Sequence, residues 1–390
     1  MSNSHPPLKP GWKWVKFGDV ARQVKDKVDP ETSGLERYVA GDHMDTDDLR
    51  IRRWGDIGSG YLGPAFHMRF QPGQVLYGSR RTYLRKVAVA DFTGITANTT
   101  FVIESRDSSV LVPEFLPFLM QTEDFHAHSI KQSKGSVNPY INFTDLVWFE
   151  FELPPINEQI KIVSTLQSIE CAIDSYAALG ISIEKLLEST RDKYFHKATN
   201  TQKRLGDFGT IRYGVGQPPK QIDNGIPMIR ATNIDRGRIS HNDLMRVDSL
   251  EIPASRRTFL SEGDIIVVRS GAYTGDSALI GREWIGALAG YDLVVSLDQS
   301  KVDPRYIAEF LLSRRTVVSV LTALSARSAQ PHINADDLSG VTVPIVDLSS
   351  QRVFAEECVK LRNAIERATV REDEMAKMKR FFISSYLTNN

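Results

Sequence analysis

The sequence contains only two cysteines, Cys171 and Cys358, among its 390 residues. Sparse cysteine without metal-ligand spacing predicts buried thiols in a reducing compartment, which we expect to be the cytoplasm. The chain also lacks an apolar run of membrane-spanning length, so no membrane partner is expected. Its 48 basic and 48 acidic residues cancel, which removes any global electrostatic reason to bind nucleic acid or lipid. Affinity for a charged partner must therefore come from local clusters.

Signatures of catalysis are absent as well. The sequence has no phosphate-binding loop of the Gly-x-x-x-x-Gly-Lys-Ser/Thr type, and Gly214-Val215-Gly216 lacks the third glycine of a dinucleotide site. Residues 138–140, Asn-Pro-Tyr, lack the second proline of the Asn-Pro-Pro-Tyr motif of adenine methyltransferases. His126 and His128 have no further ligands at zinc spacing. These absences predict a non-catalytic chain with no metal or cofactor of its own.

An internal repeat is the main positive feature of the sequence. Matching segments recur at an offset of 188 to 192 residues, namely 16–20 with 204–208, 72–75 with 262–265, 112–115 with 303–306, and 138–142 with 330–334. The order of the segments is the same in both copies. The repeat therefore predicts two copies of one domain, and hence two similar surfaces.

A heptad-patterned helix is predicted after each copy. Apolar residues recur with alternating spacings of four and three, which is the 3.5-residue period of a coiled-coil seam. The first seam contains Ile162, Leu166, Ile169, Ile173, Tyr176, Ile183 and Leu187, and the second contains Phe354, Cys358, Leu361, Ile365, Met375 and Phe382. The shared register predicts that the helices pack on each other. At about 1.5 Å per residue, helices of about 38 residues would span roughly 57 Å.

Connectivity predicts the direction of this pairing. The first helix must carry the chain from domain 1 to domain 2, so the second can pair along it only by running back. We expect an α+β fold in which two mixed α/β domains are separated by an antiparallel coiled coil with pseudo-two-fold symmetry. The predicted segments are domain 1 at 1–153, helix 1 at 154–198, domain 2 at 199–343 and helix 2 at 344–390.

Polar loops follow the matched strands and could contact nucleic acid. Arginine can bond guanine through two hydrogen bonds, while serine, threonine and backbone amides bind phosphate. The candidate contacts are Tyr77, Ser79, Arg80, Arg81, Tyr83 and Lys134 in domain 1, and Arg230, Asn233, Arg269, Tyr273 and Arg327 in domain 2. The loops differ between copies while the framework matches, which suits two readers of different sequences. Ordinary solvent-exposed loops are the alternative.

A local basic excess supports a phosphate-facing surface in domain 1. From Arg50 to Lys86 the chain has eight basic residues and one acidic residue, Asp56. Such a cluster favours contact with a polyanion. The alternative is a surface whose acidic partners come from elsewhere in the fold.

The duplicated plan resembles the specificity subunits of type I restriction–modification systems. Two further motifs carry the resemblance: Pro-Pro-x-x-Glu-Gln at 154–159, and the stretch from Gly-Gln-Pro-Pro at 216–219 to Gly-Ile-Pro at 225–227. The resemblance implies that each domain reads half of a bipartite, asymmetric site in double-stranded DNA. It also implies two methylation subunits that bind S-adenosylmethionine, and two restriction subunits that use ATP and magnesium. The second copy lacks the Pro-Pro and Glu before Gln351, so the methylation subunits need not dock equally.

Two other functions remain open from the sequence. The first is a protein-binding coiled-coil scaffold whose duplicated domains grip polypeptide. The second is a stand-alone adenine methyltransferase, although the sequence shows neither cofactor glycines nor the catalytic motif that such an enzyme needs.

Overall fold

The computed structural model describes residues 8–197, 201–217, 219–253, 259–317 and 332–387. The chain forms two compact units, one containing residues up to Tyr176 and from Arg371 onward, the other containing Ala177–Val370. Each unit therefore holds one α/β domain and half of each long helix. This division differs from the four predicted segments, because both long helices are shared between the units.

Domain 1 is built from short strands and helices that precede the first long helix. Its strands are β1 (Lys13–Lys16), β2 (Ala21–Val24), β3 (Arg37–Val39), β4 (Gly55–Asp56), β5 (Phe66–Phe70), β6 (Val75–Gly78), β7 (Val87–Val89), β8 (Gly94–Ala97), β9 (Thr100–Ser105) and β10 (Glu150–Leu153). Its helices are α1 (Phe17–Val20), α2 (Phe115–Leu119), α3 (Glu123–Gln132) and α4 (Phe143–Leu146). The long helix α5 (Ile156–Lys197) follows.

Domain 2 has the same plan. Its strands are β11 (Gln202–Arg204), β12 (Gly209–Tyr213), β13 (Gln221–Ile229), β14 (Ile234–Asp235), β15 (Arg238–Ile239), β16 (Met245–Val247), β17 (Ile265–Val267), β18 (Ser277–Leu279), β19 (Leu288–Ala289), β20 (Leu293–Leu297) and β21 (Thr342–Pro344). Its helices are α6 (Pro304–Leu311), α7 (Arg314–Thr316) and α8 (Ala335–Ser339), and the second long helix is α9 (Leu348–Leu387). Short 3-10 turns lie at Gly41–His43, Thr82–Leu84, Leu205–Phe208, Ala231–Asn233, Ser249–Glu251 and Arg282–Trp284.

The sheets confirm the duplication. The main sheet has the order β2-β9-β6-β7 in domain 1 and β12-β20-β17-β18 in domain 2, antiparallel throughout. The second sheet of each domain contains one parallel pair, β3 with β8 and β13 with β19. A two-stranded pair, β1 with β10 or β11 with β21, brings the two ends of each domain together. Both copies thus share the order of the main sheet, the parallel pair and the closing strand pair, whereas the second sheet has four strands in domain 1 and three in the described part of domain 2.

The matched strands β6 and β17 lie at the centre of each domain because both of their faces are covered. Val75 and Tyr77 pack into one core cluster and Leu76 into another, and residues 265–267 alternate between two clusters in the same way. The turns before these strands place Gly73 and Gly263 at φ of 86° and 90°, a conformation that favours glycine.

A buried glutamine fastens each long helix to its own domain. The Gln159 side chain accepts a hydrogen bond from the Val112 amide at 2.9 Å, and its amide donates to the carbonyl of Pro154. Gln351 repeats both contacts, with the Asp303 amide and the carbonyl of Val346. The glutamine of the sequence motif thus has the same structural role in both copies.

The glutamate of that motif has a partner only in the first copy. Glu158 accepts a hydrogen bond from the indole of Trp12 at 2.9 Å. The position that matches Glu158 in the second copy is Ser350, which instead donates to Asp347 near the start of α9. The two copies therefore differ locally at this position: Glu158 binds Trp12 in the first, and Ser350 binds Asp347 in the second.

The two long helices pair in an antiparallel manner, as predicted. In the second unit, Tyr194 stacks on Phe354 with ring centroids 3.9 Å apart, while Arg191, one turn earlier in α5, shares Glu309 with Arg362, which lies later in α9. In the first unit, Ile383 of α9 joins a core cluster with Ile162 and Leu166 of α5.

Every residue of the two predicted seams is buried or half-buried. Cys358 lies in the core of the second unit, and burial raises the pKa of its thiol to about 12. Cys171 is exposed, contrary to the expectation of two buried thiols, because it lies outside the α5 seam. None of the helices in the described ranges is both long and apolar enough to cross a bilayer.

Charged side chains are buried beside the long helices in both units. In the first unit, Lys379 of α9 is only 8% exposed, forms an ion pair with Glu170 of α5, and lies over the ring of Phe118. In the second unit, the buried carboxylate of Glu309 in α6 binds Arg191 of α5 at 2.6 Å and Arg362 of α9 at 2.7 Å. Glu309 thus ties both long helices to domain 2.

A buried histidine of α3, His126, lies beside the arginine-rich segment of domain 1. Burial lowers the pKa of His126 to about 4, and the nearby positive charge of Arg85 acts in the same direction. The Asp47 carboxylate is 3.8 Å from Nε2, which is too far for a hydrogen bond. His126 is therefore neutral in the folded protein near pH 7.

Removal of the Glu309 carboxylate should destabilise the second unit. We expect Glu309→Ala to lower the free energy of unfolding by about 3–5 kcal/mol, because it leaves two largely buried arginines without their anion. Thermal or urea unfolding measures the change. The matched control is Glu262→Ala, which removes an exposed partner of Arg282 and should cost at most about 1 kcal/mol. Equal effects of the two substitutions would contradict the role of Glu309.

Stability should also fall below neutral pH because of His126. The unfolded state binds a proton near pH 6.5 whereas the folded state binds it near pH 4, so stability is lost as the pH falls through this window. The loss can reach about 3 kcal/mol. His126→Phe should flatten the pH dependence of the free energy of unfolding, measured with urea, between pH 7 and pH 5. A slope that persists in His126→Phe would show that other groups cause it.

Candidate nucleic-acid interface

In each domain, two predicted loop segments lie side by side. The amide of Ile141 donates to the carbonyl of Ser79 at 2.9 Å, and at the matching place Ile333 donates to Arg269 at 2.8 Å. Bridges between Arg80 and Tyr140, and between Ser270 and His332, extend both contacts. We call 79–83 with 134–140 edge 1, and 269–275 with 332–333 edge 2. The fold thus brings the strand-end loop and the Pro-x-Ile-Asn turn into one surface in both copies.

Three of the candidate contact residues are buried and cannot face a ligand. Tyr77 is 1% exposed and its hydroxyl meets Ser129 in the core. The Ser79 hydroxyl donates to the carbonyl of Thr99, and the Asn233 side chain closes its own turn by accepting from the Arg230 amide. The prediction that these side chains contact DNA was therefore wrong. Proximity to a strand end or turn does not show which side chains the rest of the domain covers.

Edge 1 presents two unpaired arginines. Arg80 and Arg81 are both exposed, and neither side chain forms an ion pair within the described part of the chain. The Arg81 amide donates to the carbonyl of Pro139 at 2.6 Å, and its φ of 50° begins the turn that presents Tyr83 to solvent. Tyr140 is half-exposed on the same edge. Edge 1 is therefore a cationic and aromatic surface.

Most other basic residues of the cluster between Arg50 and Lys86 are neutralised. Five arginines form ion pairs: Arg50 and Arg52 with Asp174, Arg53 with Asp45, Arg69 with Asp26, and Arg85 with Asp47 and Glu123. The Lys86 ammonium binds the carbonyl of Gly41. For the five arginines the alternative interpretation, acidic partners from elsewhere in the fold, is correct, whereas Lys86 is held by a neutral carbonyl. Only Arg80 and Arg81 of this cluster remain available to a polyanion.

Lys134 and Arg230 are engaged within the protein. Lys134 pairs with Asp145 at 2.9 Å, and this contact lowers the pKa of the carboxyl. Arg230 pairs with Asp243, whose side chain is 95% exposed, and also donates to the Asp243 carbonyl. These pairs would have to open before either cation could bind phosphate.

Edge 2 contains an arginine held by aromatic rings. The guanidinium carbon of Arg269 lies 4.8 Å from the ring centroid of Tyr213 and 4.5 Å from that of Tyr291. Tyr273 of the same loop is half-exposed, and Arg327 lies outside the described residues. Sequence reasoning missed Tyr213 and Tyr291. The available signal was a glycine next to each tyrosine, at 214 and 290, which marks a close approach of two chain segments.

The described residues do not suggest a metal centre. No group of three His, Cys, Asp or Glu side chains among them is placed to hold an ion. His128 is occupied by the Asp145 carbonyl, 2.9 Å from its Nε2. The chemistry on offer at both edges is hydrogen bonding, positive charge and aromatic contact.

Comparison with known proteins identifies both domains. The family described as type I restriction modification DNA specificity domain matches residues 11–185 and again residues 198–372. The chain belongs to this family. Each match runs from one α/β domain into the long helix that follows it, so domains 1 and 2 are two DNA specificity domains of one chain.

Similar full-length proteins carry the same assignment. The EcoDI specificity subunit of a type I restriction enzyme of Escherichia coli is 28% identical over 181 residues, which cover 44% of this chain and 37% of that subunit. The MjaVIII specificity subunit of Methanocaldococcus jannaschii is 20% identical over 419 positions, covering 97% of this chain and 92% of that subunit. The chain thus spans little more than a third of the first relative and most of the second.

Solved structures share the fold of the specificity chain. The type I restriction–modification S subunit from M. genitalium has a TM-score of 0.62 at 13% identity and covers 99% of both chains. A chain from a study of complex assembly and conformational transition of the type I system has a TM-score of 0.61 at 19% identity, covering 97% of this chain and 98% of that one. At these identities the likeness concerns the fold.

The unpaired arginines of edge 1 should contribute to DNA affinity where paired ones do not. Arg81→Ala should weaken the binding of this chain to DNA and reduce the slope of log affinity against log salt by about one. Salt-dependent binding to a DNA duplex measures both. Arg53→Ala is the matched control, because it removes an equally exposed arginine that Asp45 already neutralises. A slope change as large in the control would contradict the distinction.

Proposed function

We propose that this chain is the DNA-recognition subunit of a type I restriction–modification system and binds a bipartite, asymmetric site, one half per domain. The supporting observation is the pair of matched edges. Edge 1 has Ser79 and Arg80 where edge 2 has Arg269 and Ser270, on the same backbone contacts. Two equal frameworks that carry unlike side chains suit two unlike half-sites.

In this proposal the long helices set the gap between the half-sites. Helix α5 has 42 residues, which corresponds to about 63 Å. This length exceeds one turn of DNA, about 34–36 Å. Since a paired helix is stiff, the gap becomes part of the specificity.

We further propose that the chain is non-catalytic and positions other subunits on DNA. Its partners would be two methylation subunits, which bind S-adenosylmethionine, and two restriction subunits, which use ATP and magnesium. Equal docking of the methylation subunits is part of the proposal, because the acidic residue missing from the second copy, Glu158 in the first, contacts Trp12 of its own unit. The cytoplasmic location inferred from the cysteines stays a prediction.

The deciding experiment is co-expression with a methylation subunit of the same system, followed by mapping of modified adenines. A split motif with a constant gap supports the proposal. Absence of DNA binding in the complex would favour the protein-binding scaffold, and binding of S-adenosylmethionine by the chain alone would favour a stand-alone methyltransferase.

Substitutions on one edge should affect one half-site. Arg80→Ala removes an exposed guanidinium. The backbone of Arg80 is fixed by its β-bridge to Tyr140. It should relax base preference in a single half-site by about 1–3 kcal/mol and leave the other half unchanged. Methylation of duplexes with single-base changes in either half measures this effect. An equal loss of preference in both halves would contradict the assignment of one half-site to each domain.

A further inference from the structure

Arg269 differs from the other candidate arginines in how its side chain is restrained. Its guanidinium lies over the rings of Tyr213 and Tyr291, while Arg80 and Arg81 extend into solvent. A guanidinium over an aromatic face is attracted by the negative face of the ring, and the attraction is stronger when the pair is partly desolvated. The rings therefore limit the positions that the Arg269 head group can take.

Strand pairing fixes the two tyrosines. Tyr213 ends β12 and pairs with Leu293 at the start of β20, and Tyr291 lies two residues before that point. The chain segments can approach because position 214 is glycine: a Cβ there would lie 1.8 Å from the Gly290 carbonyl oxygen. The clamp, defined as Tyr213, Arg269 and Tyr291, thus lies at or within two residues of the ends of strands β12, β17 and β20.

A buried carboxylate fixes the backbone of Arg269. The Asp292 side chain is 3% exposed and accepts a hydrogen bond from the Arg269 amide at 3.2 Å. Burial raises the pKa of Asp292, while its contact with the Arg269 amide and the positive charge of Arg269 oppose that rise. The arginine is therefore held at its backbone by Asp292 and at its head by two rings.

Only the terminal amino groups of Arg269 remain as hydrogen-bond donors for an external ligand. Its Nε is buried without a hydrogen-bond partner, so it cannot reach an external acceptor. The terminal amino groups form no hydrogen bond or ion pair within the ranges that the structure describes. What remains is a pair of parallel N–H donors at the end of a restrained, planar group. This arrangement matches two adjacent acceptors rather than a single point charge.

We propose that Arg269 reads a guanine in the half-site of domain 2, with Tyr213 and Tyr291 as positioning residues. This inference rests on the proposed function and adds the base and the residue that recognises it. Guanine presents two adjacent acceptors, O6 and N7, in the major groove, and its pairing with arginine end-on uses both terminal amino groups. A restrained head group loses little freedom when it binds a ligand in the matching orientation.

The test uses the complex of the full chain with its methylation subunit and duplexes that carry the wild-type site with each base changed in turn. The wild type should prefer guanine at one position of one half-site. Arg269→Ala should reduce that preference by about 5- to 150-fold, and Arg269→Lys, which keeps the charge but not the planar fork, should reduce it similarly. Preferences in the other half-site should not change.

Positioning is tested at Tyr291. Tyr291→Leu removes one ring face and should lower the preference for the same guanine. Tyr291→Phe keeps the ring and should retain the wild-type preference. Thermal unfolding of both variants separates this effect from a loss of folding, since a merely structural role would not alter preference at one base.

The outcomes separate the two proposals. If the wild-type complex recognises no split site, the proposed function fails. If it does, but Arg269→Ala weakens all sequences equally, Arg269 contacts phosphate and the guanine inference is overturned. A loss of preference in both half-sites would overturn it as well.

Discussion

In each compact unit, one half of α5 packs antiparallel against one half of α9, and buried charge lies beside the apolar seam. Apolar seams alone tolerate a shift along the helices by a heptad, because one aliphatic contact resembles the next. Buried ion pairs do not tolerate such a shift. A shift would leave Lys379 or Arg362 without its carboxylate partner, and burying an unpaired charge costs several kilocalories per mole. The charged contacts therefore select one register, and the seam supplies the burial.

Specific side chains connect the paired long helices to the two domains, so the register of the helices fixes where the domains attach. Gln159 and Gln351 bind the loops ahead of α2 and α6, and Glu309 ties α6 to both long helices. Both edges lie at the ends of central strands of these domains. Edge 1 begins at Ser79, directly after β6, and edge 2 begins at Arg269, two residues after β17. A recognition surface placed in this way depends on rigid elements, so its side chains can vary without loss of the framework.

Sequence patterns predicted the duplication, the seams and the direction of the helices, because these depend on periodicity and connectivity. They did not separate exposed from buried residues near strand ends. Tyr77 sits in a strand covered on both faces, and a short motif cannot reveal the second layer. The basic cluster was misleading for a related reason: the ion-pair partner of Arg50 is Asp174 of the long helix, far along the chain, so the neutralisation of Arg50 cannot be seen in the local sequence. The clamp of Arg269 likewise arises from strand pairing between residues 213 and 293.

The arginines of this neutral chain therefore occupy three kinds of environment, which suggest different uses. Five of the eight basic side chains between Arg50 and Lys86 pair with carboxylates of the protein, and such pairs hold loops together and add little long-range attraction to DNA. Arg80 and Arg81 keep their charge and can follow a phosphate backbone or a base edge. Arg269 keeps its charge but loses its freedom to the two tyrosine rings. A net charge of zero supplies little long-range attraction to DNA, so under the proposed function discrimination between sites would depend on the fit of a few fixed groups.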